Sequence, residues 1–142
     1  MRASPSVAVA TVSIAVPVVS LDAEAVARSV GVARRRLIAF ASEVGADREL
    51  QARVALAVSE AAGNAVMHAY PDAGPRPLHV AADFEDGDLE VVVADEGEGL
   101  RRRRSPGLGA GLGIIAETCD KFVVRERDPA GVELWMRFHV NG

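Results

Sequence analysis

The sequence predicts a two-layer α/β sandwich in which helices cover one face of a mainly antiparallel sheet. Three observations lead to this fold class. Apolar residues change from a helical period to a period of two near residue 78, two stretches contain hairpin turn signals, and the predicted helices need the apolar face of a sheet to pack against. The chain has 142 residues, which fits a single domain over residues 1–142 with its own core.

The N-terminal stretch "MRASPSVAVATVSIAVPVVS" favours an edge strand over a secretory signal. An Arg followed by an apolar run is typical of a signal, but Thr11 and Ser13 interrupt the run and Pro17 ends its ordered part. Apolar residues alternate over about residues 8–16, as in a strand with one buried face. No segment reaches the ~20 apolar residues that span a bilayer, so we expect no membrane association. With one cysteine, Cys119, a reducing cytoplasm is the expected location.

Two helices are expected next, over residues 21–45 and 46–70. Asp22 is the expected N-cap of the first helix, and Gly45 its expected end. Asp47 is the expected N-cap of the second helix, which the proline after its last residue should close.

The second half of the chain predicts two hairpins separated by a loop and a short helix. Strands over 78–84 and 89–95 flank the turn signal "EDGD", and strands over 121–127 and 132–140 flank "DPAG". Between the hairpins, the loop "EGEGLRRRRSPGLGAG" leads into a helix over 112–120. No internal repeat or second-domain boundary is visible.

Composition excludes several classes of protein. Hydrophobic residues make up 49% of the chain and charged residues 25%, which are values typical of a globular domain. A net charge of −4 argues against broad nucleic-acid binding. The single cysteine excludes an intrachain disulfide and a cysteine metal cluster, and the three histidines (His68, His79 and His139) lack metal-ligand spacing.

Three polar residues interrupt the apolar second helix at a spacing of four. Glu60, Asn64 and His68 therefore share one helix face. One interpretation is the solvated face of an amphipathic helix. The other is a carboxylate that accepts a proton beside an amide oxygen that binds a hard cation.

Two glycine-containing motifs follow. In "VVVADEGEGL", Asp95 ends a buried strand and Gly97 and Gly99 follow it, which indicates either a close approach to a ligand or a plain strand-ending turn. In "PGLGAGLG", glycines precede a helix that is expected to begin near Leu112. Backbone N–H groups and the helix dipole would suit a phosphate there, although the motif is neither a Walker loop nor a dinucleotide fingerprint.

Together and in this order, the motifs resemble the nucleotide-binding elements of the GHKL ATPase superfamily, the Bergerat fold of gyrase, histidine kinases and MutL. "EAAGNAVMHAY" resembles its N box, "DEGEG" its first glycine box and "GLGAGLG" its second. The His-Ala-Tyr ending, the short lid and the chain length resemble the bacterial anti-sigma factor serine/threonine kinases over about residues 10–140. The resemblance implies a mixed, mostly antiparallel sheet covered by helices on one face.

The resemblance also implies ATP and Mg²⁺ as cofactors. Asn64 would coordinate Mg²⁺, and Glu60 would act as the general base on the attacking hydroxyl. His68 would either line the ribose side or merely finish the helix. Asp95 would accept a hydrogen bond from the adenine amino group. Backbone contacts would come from Gly97 and Gly99 to the base, and from Gly109, Ala110 and Gly111 to the phosphates.

Two features depart from the family pattern or stay open. The family often has Thr in the final hairpin after Gly131, where this chain has Val132 and Glu133, so we expect Glu133 to weaken the adenine site unless an ordered water replaces the hydroxyl. Arg101 to Arg104 in the lid either reach the γ-phosphate or a partner's acidic patch, or form a solvated loop.

By this resemblance, the chain is an ATP-dependent serine/threonine kinase. It would phosphorylate an anti-anti-sigma protein of the STAS type, sequester a sigma factor and form a homodimer. The alternative is a nucleotide-dependent partner-binding module with little or no kinase activity. A detached histidine-kinase catalytic domain ranks last, because nothing in the chain resembles that family's phospho-acceptor helix.

Overall fold

The computed structural model of the chain describes residues 19–69, 77–98 and 108–140. Within these ranges, five strands form one sheet, and each pairing between neighbours is antiparallel. The strands are β1 (Val19–Glu24), β2 (Pro77–Glu85), β3 (Asp88–Asp95), β4 (Lys121–Glu126) and β5 (Val132–His139), in the order β1-β2-β3-β5-β4 across the sheet.

In the described part of the chain, three α-helices form the second layer, and the two-layer α/β sandwich is confirmed. They are α1 (Ala27–Glu43), α2 (Arg48–Asn64) and α3 (Leu108–Thr118), and a π-helical segment (Ala65–Ala69) continues α2. Helix α2 is the central helix, because it contacts α1, α3 and β3. The core lies between the layers and includes Leu37, Val54, Val58, Leu89 and Phe138.

The predicted limits between α1 and α2 are confirmed. Gly45 has a φ of +102°, a left-handed conformation that glycine adopts without a Cβ penalty. The Ala46 N–H donates to the Ala41 carbonyl at 2.9 Å, which completes a Schellman ending of α1. At the start of α2, the Asp47 side chain accepts a hydrogen bond from the Leu50 N–H at 2.8 Å, as an N-cap should.

The predicted start of the first helix is wrong. Residues 21–24 belong to β1, and Asp22 is a strand residue that pairs with His79. Helix α1 begins after Val26, which makes no side-chain cap. Antiparallel pairing with β2 gives residues 21–24 partners on the neighbouring strand, and this tertiary contact makes them a strand. Where the strand ends, the buried Ser29 hydroxyl donates a hydrogen bond to the Glu24 carbonyl at 2.6 Å.

The predicted start of the last helix is also wrong, because α3 begins at Leu108 rather than near Leu112. The glycines lowered the helical expectation for this turn, but packing of the helix on α2 overrides that preference. The strand expected at about 8–16 and the proline expected to close the second helix lie outside the described residues.

Both predicted hairpins are present. The β2–β3 turn has positive φ angles at Asp86 (54°) and Gly87 (83°), which is the pattern of a two-residue hairpin turn. The β4–β5 hairpin is closed by a hydrogen bond from the Arg127 N–H to the Gly131 carbonyl at 2.9 Å. In the described part of the chain, no helix is both long and apolar enough to cross a bilayer.

Alternation along the strands gives the sheet two different faces. In β5, the buried residues Val132, Leu134, Met136 and Phe138 are on the helix-covered face. The residues between them, including Glu133 and Trp135, are on the open face. The same alternation puts Asp95 on the helix-covered face of β3, with Leu89, Val91 and Val93.

Candidate nucleotide site

The C-terminal half of α2 carries two of the predicted polar residues in environments that are not fully solvated. Asn64 is only 9% exposed, and Glu60 is half-buried. Neither the Asn64 amide nor the Glu60 carboxylate hydrogen-bonds any other residue among those that the structure describes. A solvated helix face does not explain a buried amide, and buried polar groups nearly always have a partner. Asn64 therefore suits a ligand that supplies one.

Helix α3 runs antiparallel to α2 and brings its N-terminus beside Glu60. At one end of the pair, the Arg53 Nε donates to the Thr118 carbonyl at 3.0 Å. At the other end, a Cβ built on Gly111 would lie 3.2 Å from the Glu60 Oε1. Seven residues separate the contacts on each helix (53 to 60, and 118 to 111), about two helical turns. The start of α3 therefore lies next to the predicted catalytic face of α2.

The early start of α3 changes how the second glycine motif is built. Gly109, Ala110 and Gly111 lie in the first turn of the helix rather than in a loop before it. The first four N–H groups of a helix have no intrahelical acceptor, and the helix dipole adds positive potential there. The motif can therefore present backbone donors to an anion from the helix end beside Glu60.

Asp95, the last residue of β3, accepts hydrogen bonds through both its side chain and its main-chain carbonyl. The side chain is 3% exposed, and its Oδ1 accepts hydrogen bonds from the Gly97 N–H at 3.0 Å and the Val132 N–H at 3.3 Å. The Asp95 carbonyl accepts a hydrogen bond from the Arg127 guanidinium at 3.1 Å. The β4–β5 hairpin thus fixes both the main chain and the side chain of Asp95.

Gly131 makes that contact between the hairpin and β3 possible. Its φ is +108°, and a Cβ at this position would lie 2.0 Å from the Asp95 carbonyl oxygen. Any side chain would force the turn away from β3. The sequence motif "DPAG" predicted the turn, but not this close approach.

Glu133 does not occupy the position that the sequence suggested. It lies on the open face of the sheet, opposite Ala94 of β3 and Arg125 of β4. The neighbouring Val132 is 1% exposed and gives its backbone N–H to Asp95. The expectation that Glu133 weakens an adenine site at Asp95 is therefore wrong, because the two side chains lie on opposite faces.

His79 is a residue near the site that the sequence did not indicate. Its Nδ1 lies 2.7 Å from the Asp22 Oδ1, and its Nε2 lies 2.9 Å from the Glu96 Oε2. Hydrogen bonds to Asp22 and then to Glu96 raise the pKa of His79 against the opposing effect of burial. The imidazole thus links β1 to the residue that follows Asp95. An alternating strand pattern gives no signal for such a bridge.

The structure brings the predicted residues together in two groups. Glu60, Asn64 and Gly111 form one group at the α2–α3 contact, and Asp95 with Gly97 forms the other at the end of β3. The π-helical segment after Asn64 contacts β3, and this contact joins the groups. His68 lies in that segment, and its side chain is outside the description, as are Gly99 and Arg101 to Arg104.

Comparison with known proteins agrees with this arrangement. Residues 23–138 match the family described as the histidine kinase-like ATPase domain, which is most of the chain. The chain belongs to this family. The histidine kinase-like ATPase domain seen here shares its fold with the crystal structure of the RsbU and RsbW domains of Rv1364c from Mycobacterium tuberculosis. The TM-score is 0.68 at 23% identity, and the match covers 87% of this chain and 33% of that chain.

Curated relatives of this ATPase domain have two kinds of name. The serine-protein kinase RsbW of Bacillus subtilis (strain 168) is 30% identical over 127 residues, which covers 80% of this chain and 79% of that protein. The anti-sigma F factor of Heyndrickxia coagulans is 25% identical over 126 residues, covering 80% and 86%. The serine-protein kinase RsbW of Oceanobacillus iheyensis is 38% identical over 69 residues, and the chain spans only 44% of that relative's length. The resemblance to anti-sigma factor kinases of the GHKL superfamily is confirmed.

Proposed function

We propose that this histidine kinase-like ATPase domain is an ATP-dependent serine/threonine protein kinase of an anti-sigma switch. One observation carries the proposal. The buried Asn64 amide, which has no hydrogen-bond partner among the described residues, lies one helical turn after Glu60, and Glu60 lies beside the first turn of α3. A metal ligand, a proton acceptor and an anion-binding helix end are the parts that phosphoryl transfer needs.

The residues present fit ATP and Mg²⁺ as cofactors. An amide oxygen is a ligand that Mg²⁺ accepts, so Asn64 would hold the metal. The first-turn N–H groups of Gly109, Ala110 and Gly111 would bind the phosphates. Asp95 would accept a hydrogen bond from the adenine amino group, and Gly97 and Gly99 would approach the base. Bound together, the cofactors supply a transferable γ-phosphoryl group whose charge the metal partly neutralises.

Glu60 is the residue to which we assign the proton transfer. Its half-buried carboxylate would accept the proton of the attacking Ser or Thr hydroxyl. The antiparallel contact with α3 holds this carboxylate at the helix end that would bind the phosphates. Nucleophile activation and phosphate binding therefore fall to two helices whose relative position is fixed by packing.

The names of the relatives support the proposed partners. Proteins called serine-protein kinase RsbW and anti-sigma F factor align with four-fifths of the chain. We assign to this chain a Ser or Thr acceptor on an anti-anti-sigma STAS protein, a sigma factor that it sequesters, a homodimeric state and a cytoplasmic location. A pull-down from the native cell, with and without ATP and Mg²⁺, should return one or both partner types. Recovery of neither type would contradict this assignment.

A transfer assay with labelled ATP separates the kinase from the binding module. Glu60→Gln keeps the shape and polarity of the side chain but removes the base, so transfer to a STAS protein should fall ~10²-fold or more, while ATP binding survives. Glu49→Gln, an exposed position in the first turn of the same helix, is the matched control and should transfer normally. If Glu60→Gln transfers at the wild-type rate, Glu60 is not the base.

The binding-module alternative has its own signature in the same experiment. Such a protein would bind ATP and a sigma factor but would label no STAS protein, even in the wild type. This result would remove the kinase from the proposal and leave the nucleotide site in place.

A further inference from the structure

Gly111 of α3 faces the proposed base Glu60. A Cβ built there would meet the Glu60 Oε1 at 3.2 Å, which is tighter than nearly all real Cβ contacts, so the carboxylate would have to shift by a few tenths of an ångström. Gly113 lies two residues further along the same helix, and a Cβ there would meet no atom within 4 Å. The two glycines therefore differ in what a side chain would displace.

The middle and the C-terminal end of α3 are anchored in the core. Ile115 of α3 is fully buried in the core, and Thr118 and Cys119 at its C-terminal end are 8% exposed. The Arg53 side chain also joins α2 to the end of α3. Since the flexible end of the Glu60 side chain is the neighbour that a Cβ at position 111 would meet, the carboxylate is the group that would shift.

We propose that Gly111 is a positioning residue for Glu60. By lacking a side chain, it lets the carboxylate lie against the first turn of α3, next to the backbone donors that would bind the phosphates. This inference rests on the proposed role of Glu60 as the base. It gives Gly111 a steric function in addition to any backbone contact that it makes with a phosphate.

The test compares Gly111→Ala with Gly113→Ala. Each variant replaces a helical glycine by alanine and keeps the backbone N–H, so neither should lower the melting temperature. In Gly111→Ala, transfer at saturating ATP should fall ~10-fold or more, the scale of a misplaced catalytic group, while the Kd for ATP rises less than ~3-fold. In Gly113→Ala, both quantities should stay at their wild-type values.

Two further measurements show whether Gly111 acts through Glu60. In the Glu60→Gln background, Gly111→Ala should cause no further loss of transfer, because the group that it displaces is no longer a base. In the protein without nucleotide, Gly111→Ala should shift the ¹³C resonance of the Glu60 carboxyl carbon, and Gly113→Ala should not. The second readout does not require kinase activity.

The possible outcomes separate this inference from the kinase proposal. Wild-type transfer by Gly111→Ala with an unmoved Glu60 resonance would overturn the inference. A parallel loss of ATP affinity and transfer would also overturn it, because Gly111 would then act on the phosphates. If the wild-type protein transfers no phosphate, the kinase proposal fails, and the carboxyl resonance alone decides whether Gly111 positions Glu60.

Discussion

The adenine side and the phosphate side of the proposed site differ in whether their polar side chains are already hydrogen-bonded within the chain. At the end of β3, the Asp95 Oδ1 and carbonyl accept three hydrogen bonds from within the domain. At the end of α2, the Glu60 and Asn64 side chains have no hydrogen-bond partner in the described part of the chain, although Asn64 is 9% exposed.

This difference indicates which part of the site is built before the nucleotide arrives. A carboxylate held by backbone donors is pre-organised, and its removal should lower the free energy of unfolding even without nucleotide. A buried amide without a partner costs free energy in the absence of ligand and gains a partner when ligand binds. Substitutions on the two sides should therefore separate stability from binding.

The largest effect is expected at Gly131. Alanine there would place its Cβ 2.0 Å from the Asp95 carbonyl oxygen at a φ of +108°, and we expect the free energy of unfolding to fall by about 3 kcal/mol or more. Urea denaturation would measure it. Gly63→Ala is the control, because a Cβ there meets no atom within 4 Å, and it should be neutral or stabilising by about 0.5–1 kcal/mol. Equal stability of Gly131→Ala and the wild type would refute the close approach of the hairpin.

Asp95 should affect folding and nucleotide binding through different atoms. Asp95→Ala leaves the Gly97 and Val132 N–H groups without their acceptor, so the protein without nucleotide should lose about 1–3 kcal/mol of stability. Asp95→Asn keeps one oxygen acceptor but turns an NH₂ group toward the adenine amino group. Its main effect should be an ATP affinity weakened by ~1–3 kcal/mol, measured by titration calorimetry. Unchanged ATP affinity in Asp95→Asn would mean that Asp95 only ends a strand.

Asn64→Ala should show the reverse behaviour. Removing a buried amide that has no described partner leaves no donor or acceptor newly unsatisfied, and alanine is the better helix former. We therefore expect the free energy of unfolding without nucleotide to stay within about 1 kcal/mol of the wild-type value or to rise. Phosphate transfer should fall, since the proposed Mg²⁺ ligand is lost. A loss of stability as large as that of Asp95→Ala would abolish the contrast between the two sides.

The smallest effect is a pH dependence at His79. The pKa of His79 is raised in the folded state by the Asp22 and Glu96 carboxylates. The stabilisation by the protonated imidazole is therefore fully present at a pH below the ordinary histidine pKa of about 6.5. It is lost as the pH rises through the raised pKa of the folded state. The difference in melting temperature between the wild type and His79→Gln should be larger at about pH 6 than at pH 9. A difference independent of pH would show that the bridge does not require a charged imidazole.

The sequence predicted the layers, both hairpins and the boundary between α1 and α2, because these depend on local patterns. The Asp47 cap, Gly45 and the two hairpin turns all follow from residue types at fixed spacing. It was wrong where tertiary contacts decided. Pairing with β2 makes residues 21–24 a strand, and packing on α2 extends α3 back to Leu108 through a glycine-rich turn. Local sequence preference favoured a helix at residues 21–24 and a loop at residues 108–111.

The candidate site shows the same division. Spacing alone put Glu60 and Asn64 on one face of a helix, and the strand pattern put Asp95 at the end of β3. Contacts between distant segments were not predictable. These include the hairpin against Asp95, the His79 bridge and the approach of Gly111 to Glu60. The face of Glu133 followed from strand alternation, but the expectation about the adenine site took only its distance along the chain into account.

Titration calorimetry of ATP with and without Mg²⁺, on the wild type and Asn64→Ala, tests the central claim most directly. The purified protein must first be freed of any nucleotide carried over from the cell. We predict that Mg²⁺ strengthens ATP binding by the wild type and that Asn64→Ala loses most of this strengthening. No heat of binding at millimolar ATP with Mg²⁺, or an equal effect of Mg²⁺ on both proteins, would contradict the account.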